Sequence, residues 1–223
     1  MKRTVAFLLV FALLGAIHPS AVFAGKWNKK LIKGSGHVTS ETRTVGEFTN
    51  IEANSMLDMN ITVGGKQSVV IYLDDNLIPL ITTEVEDGWL IIENEKDWKT
   101  ESKGRIEITV PALQDLESNG FGDVVVSGLS NNTFVLDHNG AGDVELAGRV
   151  DELDIDVDGM GDIDAREVET RIASIKVNGM GDVYVRASER LRGSVNGMGT
   201  VFSYGKPEYV SVNVSGMGSL VER

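Results

Sequence analysis

Hydrophobic and polar side chains alternate strictly along the C-terminal half of the chain, and the alternating pattern returns every 18 to 20 residues. Counted back from Gly159, positions two, four and six hold Val157, Ile155 and Leu153, and polar residues lie between them. A period of two places alternate side chains on opposite faces, so each segment is predicted to be a β-strand with one buried face. A second strand begins four residues after each such glycine, at Val124, Val144, Ile163, Val183, Val201 and Leu220.

A Gly-x-Gly motif separates the two strands in six successive copies. The leading glycines are Gly120, Gly140, Gly159, Gly179, Gly197 and Gly216, which are 20, 19, 20, 18 and 19 residues apart. The commonest form of the turn is Asn-Gly-Met-Gly-Asp, and glycine and asparagine both accept the positive φ of a sharp corner. The sequence therefore predicts one tight turn in every repeat.

Equivalent positions carry the same type of residue from one repeat to the next, which predicts a solenoid. If each repeat is one coil, equivalent side chains stack about 4.8 Å apart along the axis. We expect an all-β fold, a right-handed parallel β-helix, because parallel crossovers are almost always right-handed. An antiparallel sandwich does not require such register identity, and the 25 glycines argue against helical repeats.

The chain between Val45 and Val110 lacks the motif but keeps strand patterning, as in Leu57, Met59 and Ile61. We expect wider, irregular coils of the same β-helix in this part, capping its N-terminal end. The predicted domain is thus a single β-helix over residues 37–223, with irregular coils at 37–114 and six regular Gly-x-Gly coils at 115–223.

The first 24 residues have the features of a secretory signal peptide. Lys2 and Arg3 precede an apolar run that is too short for a membrane span, and small residues precede a cleavage position after Ala24. Residues 25–36 are predicted to be a flexible basic segment. We expect an exported protein that is located in the periplasm. The cell surface and the external medium are the alternative locations.

The formal net charge is −12, from 21 basic and 33 acidic residues. Removal of the signal peptide would take away two basic residues and leave −14, which argues against nucleic acid and anionic membranes as partners. No other stretch approaches eighteen apolar residues, so no membrane span is expected. The chain has no cysteine, and its stability cannot depend on disulfides.

Two groups of aspartates are candidates for chemistry. Asp123, Asp143, Asp162 and Asp182 would stack as one column, where neighbouring carboxylates repel by about 0.9 kcal/mol in a dielectric like that of water. Either calcium ions or hydrogen bonds from the backbone of each residue's own turn could offset that repulsion, and we favour the hydrogen bonds. The second group is Asp154, Asp156, Asp158, Asp162 and Asp164, and paired carboxylates on such a face could hydrolyse glycosides.

Three further columns are interpreted as structural. Asn119, Asn139, Asn178 and Asn196 predict a ladder of side-chain amides, interrupted by Asp158 and Ser215. Met160, Met180, Met198 and Met217 are expected to fill the core at a corner. His138 lies in a column of buried valines and is expected to be a core residue.

The residues from 34 to the end resemble the head GIN domain family of autotransporter adhesins, which are exported β-helical proteins of Bacteroidetes and other Gram-negative bacteria. The resemblance rests on GSGHVTSETRTVGEFTNIEA (34–53), on ITVPALQDLESNGFGDV (108–124) and on the succession of Asn-Gly-Met-Gly-Asp turns. It implies a β-helix and an adhesin-like role, and it brings no catalytic residues with it.

The expected function is therefore that of a non-catalytic exported module that presents a repetitive face to a partner. The partner classes left open are a glycan, an envelope component and a second copy bound through the ends of the β-helix. One alternative is a polysaccharide-acting enzyme, and a second is a calcium-stabilised structural protein. No cofactor and no catalytic residue are expected.

Overall fold

The computed structural model describes residues 31–223, so the predicted signal peptide and residues 25–30 lie outside the described part. Seventeen strands make up nearly all of the regular structure. They are β1 Ile32–Lys33, β2 Val38–Arg43, β3 Asn50–Asn54, β4 Asp58–Val63, β5 Ser68–Asp74, β6 Ile81–Glu86, β7 Trp89–Asn94, β8 Trp98–Lys99, β9 Arg105–Val110, β10 Asp115–Ser118, β11 Val124–His138, β12 Val144–Val157, β13 Ile163–Val177, β14 Val183–Val195, β15 Thr200–Tyr204, β16 Tyr209–Val214 and β17 Ser219–Glu222. A single 3₁₀ turn, Ile78–Leu80, precedes β6.

The strands from β10 to β17 form stacked parallel coils, which confirms the predicted β-solenoid. Each of β11 to β14 runs from one Gly-x-Gly turn through the far corner of the coil to the next turn, and pairs in parallel with its successor. Val144 lies beside Ile163, and Ile163 lies beside Val183. Register shifts at the far corner, such as the one between Glu145 and Ala147, absorb the variation in repeat length.

The core consists of the inward side chains of successive coils, each packed on its equivalents. Phe134, Leu153 and Leu191 are fully buried in one column, and Val144, Ile163 and Val183 are buried in another. Because each inward side chain is covered by like side chains above and below, apolar surface is removed from water along the whole axis. The outward positions of the same strands are polar or only partly covered.

Close approach of the coils explains the glycines of the turns. A Cβ on Gly159 would lie 2.2 Å from the carbonyl oxygen of Gly140, and one on Gly161 would lie 2.1 Å from that of Gly142. Gly161 also has a φ of 132°, whereas none of the turn asparagines has a positive φ. The expectation that asparagine serves the corner through its backbone is therefore wrong, because its side chain has a different role, described below.

The N-terminal part differs from the regular coils in the order of its strands. β3 pairs in parallel with β10 on one side and β7 on the other, and β4 likewise pairs with β11 and β9. The coil formed by β3 and β4 therefore lies between the coil of β7 and β9, which follows it in the chain, and the first regular coil. The chain returns past this inserted coil before the regular stack begins.

Antiparallel strands close the N-terminal end of the solenoid. β5 pairs with β9 and β2, and β6 pairs with β7, all in antiparallel register. The expectation of coils throughout 37–114 is therefore wrong for β2, β5 and β6. Alternation of side chains reports which face of a strand is buried but carries no information about its direction.

The predicted flexible segment comprises residues 25–36, and the part of it that the structure describes is bound to the solenoid. Ile32 and Lys33 pair in parallel with Trp98 and Lys99. The Asn76 side-chain amide donates to the Lys33 carbonyl at 2.9 Å, and Ser35 Oγ donates to Asp75 Oδ1 at 2.6 Å. The expectation of a flexible segment is therefore wrong for residues 32–36.

His138 is fully buried in the inward column, as expected for a core histidine. Its Nε2 lies 3.4 Å from the carbonyl oxygen of Met160, and its Nδ1 has no hydrogen-bond partner. Burial lowers the pKa of His138, although the Met160 carbonyl and the nearby Asp143 partly oppose this effect. The imidazole is therefore neutral at pH 7, in a column whose next member is Val157.

The stability of the variant His138→Val is expected to decrease less at acidic pH than that of the wild type. Since the folded pKa lies below the unfolded value of about 6.5, the unfolded chain takes up the proton first, and stability falls as the pH drops below that value. Thermal unfolding followed by circular dichroism between pH 7.5 and 5 should show a smaller loss of Tm for the variant than for the wild type. Equal losses in the two proteins would contradict this account of His138.

Candidate binding surface

Three parallel columns of side chains line the edge where the Gly-x-Gly turns stack, here called the turn edge. The first is the predicted asparagine ladder. The Asn139 amide donates to Asn119 Oδ1 at 3.0 Å, the Asn178 amide to Asp158 Oδ1 at 2.6 Å, and the Asn196 amide to Asn178 Oδ1 at 3.1 Å. The amides bond coil to coil, and this confirms the structural interpretation of the column.

The asparagine ladder is longer than predicted and has one break. Asn119 donates to Asn54 Oδ1 at 3.0 Å, so the inserted coil of β3 and β4 takes part in the ladder. Its turn, Asn54 to Asp58, keeps Asn, Met and Asp at the motif positions but has Ser and Leu in place of glycine. The break falls between Asn139 and Asp158, because an ionised carboxylate has no hydrogen to donate to the amide oxygen beneath it.

The aspartates after the turns form a second ladder. Asp143 N–H donates to Asp123 Oδ1 at 2.9 Å, Asp162 N–H to Asp143 at 2.9 Å, and Asp182 N–H to Asp162 at 2.8 Å. Each carboxylate therefore accepts from the next coil and not from its own turn, which corrects that expectation. These charge-assisted bonds offset the repulsion between neighbouring carboxylates without requiring an ion.

The third column runs between the other two and is exposed. Met160, Met180, Met198 and Met217 are 49%, 42%, 45% and 81% exposed. The expectation that they fill the core is therefore wrong. The side chain between the two glycines points away from the axis, since both neighbouring residues are pressed against the coil beneath.

The predicted acidic cluster is divided between two sides of the turn edge. Asp164 forms an ion pair with Arg166, and Asp162 belongs to the aspartate ladder. Asp156 forms an ion pair with Lys176 at 2.7 Å, and Asp158 accepts from Asn178. With four of its five carboxylates engaged in this way, the cluster does not form a pair of carboxylates facing one substrate.

Asp154 and Asp156 belong instead to a flat surface that extends across four coils, here called the acidic face. It consists of the outward side chains of β3, β10, β11 and β12, namely Glu52, Asp115, Glu117, Asp137, Asp154 and Asp156. Glu52, Glu117, Asp137 and Asp156 occupy directly neighbouring positions on successive strands. Neighbouring strands lie about 4.8 Å apart, so the face presents a regular row of carboxylates.

The carboxylates at the centre of the acidic face are poorly compensated. Neither Glu117 nor Asp137 has an ion-pair or hydrogen-bonding partner among residues 31–223. Burial raises the pKa of Glu117, and repulsion from Glu52 and Asp137 adds to it. Burial also raises the pKa of Asp137, with repulsion from Asp156 and Asp115 adding to it and the positive charge of Lys176 partly opposing it. Clusters of titratable groups with shifted pKa values are typical of functional sites.

The outward face of β13 to β17 carries a stack of aromatic and guanidinium groups. The rings of Tyr184 and Phe202 are parallel within 6°, with centroids 4.8 Å apart. The Arg166 guanidinium lies over Tyr184 at 5.0 Å and that of Arg223 over Phe202 at 5.6 Å. Arg166 comes from the preceding coil and Arg223 from the following one, so no ring face of this pair is free to stack on a sugar.

Within residues 31–223, no group of three or more histidine or acidic side chains is arranged to hold a metal ion. Over the same residues, no helix is long and apolar enough to cross a membrane. The fold and its surfaces thus define a β-solenoid with ladders along one edge and an acidic face beside it. The family model described as "Putative auto-transporter adhesin, head GIN domain" matches residues 47–207. The chain belongs to this family.

Solved structures share the fold. A "putative adhesin" from Bacteroides fragilis is 24% identical, with a TM-score of 0.74, and covers 86% of this chain and 100% of its own. A "putative lipid binding protein" from Parabacteroides distasonis is 20% identical, with a TM-score of 0.55 and coverage of 87% and 100%. A "putative adhesin" from Parabacteroides merdae is 20% identical, with a TM-score of 0.54 and coverage of 86% and 98%. No curated protein matches the chain.

Completion of the asparagine ladder should stabilise the protein. In Asp158→Asn the new amide can donate to Asn139 Oδ1, and one such bond contributes about 0.5–1.5 kcal/mol to the free energy of unfolding. Asp154→Asn is the matched control, because it removes the same charge four residues earlier in the same coil without adding a rung. Urea denaturation at pH 7 should show the larger gain for Asp158→Asn, and equal gains would indicate that only charge matters.

The aspartate ladder should depend on an acceptor oxygen and not on a cation. Asp143→Asn keeps an oxygen for the Asp162 N–H and removes a charge, whereas Asp143→Ala loses the bond and should cost about 1 kcal/mol. We expect Tm to decrease for the alanine variant only. The Tm of each protein should be the same in the presence of calcium and of a chelator. A Tm that rises with calcium in the wild type and not in Asp143→Asn would support the calcium hypothesis instead.

Proposed function

We propose that this protein is an exported, non-catalytic, adhesin-like module that binds an extended basic segment of another protein on its acidic face. The predicted signal peptide supports export, and the family and two of the three solved structures named above are described as adhesins. The observation that carries the proposal is the unbroken row Glu52, Glu117, Asp137 and Asp156, whose central members lack partners.

The excess of acidic side chains around the acidic face supports a cationic partner. Between residues 31 and 182 there are 30 acidic and 11 basic side chains, so the field around the acidic face attracts positive charge. Like charges about 4.8 Å apart repel by about 0.9 kcal/mol per pair in a dielectric like that of water, and a cation placed between them relieves this cost. Lys176, which binds Asp156 at one end of the row, shows how an amine fits the face.

The other partner and activity classes have less support. The ring faces of Tyr184 and Phe202 are covered by each other and by arginines, which argues against a sugar platform there. Glycoside hydrolysis needs two carboxylates about 5–10 Å apart that face one bond, and the predicted cluster is divided between two sides of the turn edge. Each ladder aspartate already accepts a backbone N–H on Oδ1, and these bonds offset the repulsion that calcium would otherwise be needed to relieve.

Binding of poly-L-lysine tests the proposal. The double variant Glu117→Gln/Asp137→Asn should weaken binding at least tenfold at low salt, because it neutralises the centre of the face. Glu145→Gln/Glu167→Gln is the matched control, since it removes two charges from outside the acidic face and should have a much smaller effect. Biolayer interferometry at several salt concentrations gives both affinities and their salt dependence.

The pH dependence of polylysine binding should follow from the raised pKa values of Glu117 and Asp137. Glu117 and Asp137 take up protons at a higher pH than ordinary carboxylates, so on acidification binding should begin to weaken at a higher pH in the wild type than in the double variant. Equal loss of affinity in both double variants would contradict a localised site. Binding of deacetylated chitin oligosaccharides without binding of polylysine would overturn the proposed class of partner.

A further inference from the structure

The exposed column of the turn edge is chemically unusual because the same sulphur-containing residue occupies it in four successive coils. Met160 pairs in parallel with Met180, and Met180 with Met198, as isolated β-bridges. The Met217 N–H continues the pattern by donating to the Gly197 carbonyl at 3.1 Å. Four thioethers are therefore brought to one edge from positions 18 to 20 residues apart in the chain.

Burial does not explain the choice of methionine. The inward positions of the same coils are filled with valine, isoleucine, leucine and alanine, and Met59 is the one buried methionine of residues 31–223. Met160, Met180 and Met198 are between 42% and 49% exposed, so their side chains contribute little to the core. What they share, beyond apolar character, is an accessible thioether sulphur.

The spacing of these residues along the stack allows their sulphur atoms to converge on a soft metal ion. Thioether ligands select Cu(I) among the biological first-row metals, whereas calcium and magnesium require oxygen. With metal–sulphur bonds of about 2.3 Å, two sulphurs on one ion lie about 4 Å apart. Neighbouring coils are about 4.8 Å apart, so the backbones of Met160 and Met198 lie about 9.6 Å apart. The three rotatable bonds of each methionine allow the two outer sulphurs to turn inward toward that of Met180.

We propose that Met160, Met180 and Met198 bind one monovalent soft metal ion, Cu(I) or its analogue Ag(I), with the Met180 sulphur at the centre. The thioethers are neutral, so the ion keeps its positive charge. The adjacent aspartate ladder provides the compensating negative charge, since Asp162 and Asp182 lie two residues after Met160 and Met180, whereas Thr200 holds that position after Met198. The rigid backbone of the turns holds the three residues at fixed spacing, which lowers the entropy cost of assembling the site.

Silver is the better probe because it binds the same ligands without redox chemistry. The purified protein, titrated with Ag(I) against a competing chelator in chloride-free buffer, should bind one ion per chain. In protein labelled with [methyl-¹³C]methionine, the methyl signals of Met160, Met180 and Met198 should shift in the NMR spectrum, and that of the buried Met59 should not.

Leucine variants separate a sulphur site from an apolar surface. Met180→Leu keeps the size and the apolar character of the side chain but should lower silver affinity at least tenfold. Met198→Leu should lower it as well and gives a second test if the first variant is poorly folded. Met56→Leu is the matched control, because Met56 lies in the same column and is 39% exposed but is followed in the stack by Phe121.

Three results would overturn the proposal. They are wild-type protein that fails to compete for silver, unchanged affinity in both Met180→Leu and Met198→Leu, and displacement of silver by excess calcium. The last result would place the ion on the aspartate ladder instead of the methionines.

Discussion

The hydrogen-bonded stacking of one coil directly over the next is the constraint on which the rest of this structure depends. Parallel strands in register bring every residue beside its equivalent, so that Val144, Ile163 and Val183 share one column. The same rule acts outside the core, where it produces the asparagine ladder, the aspartate ladder and the exposed methionines. A side chain that can bond to its own kind is favoured at such positions, and one that cannot leaves a gap, as Asp158 does above Asn139.

Stacking also concentrates charge, because a carboxylate that is repeated in every coil is repelled by the carboxylates of the neighbouring coils. The two acidic arrays of this protein differ in how that repulsion is compensated. In the aspartate ladder, each carboxylate accepts a backbone N–H from the next coil, for example from Asp162 to Asp143. On the acidic face, the strand N–H groups are already used within the sheet, so Glu117 and Asp137 gain no such bond, and burial and mutual repulsion raise their pKa values. This contrast is the physical reason for assigning structure to one array and binding to the other.

The regular coils could be predicted from the sequence because one repeat unit gives both the alternation and the register. The N-terminal cap could not, since the direction of β5 relative to β9 and the insertion of the β3 and β4 coil leave no trace in periodicity. The acidic face was accessible in principle: Glu117, Asp137 and Asp156 each lie three residues before a leading glycine. Closeness in the chain does not reveal this face, because its carboxylates come together only through their common position in the repeat. The sequence alone favours a core position for the methionines, because apolar residues are usually buried, whereas in the folded coil the flanking glycines turn them outward.

The inserted coil has a consequence for how the molecule can assemble. A solenoid whose coils follow chain order can grow by adding each new coil to the preceding one as the polypeptide emerges. Here β3 and β4 must wait for β7 and β9 on one side and for β10 and β11 on the other before both of their edges are paired. Residues 38–110 therefore have to fold as a unit, and this N-terminal block becomes the template on which the repetitive coils are added.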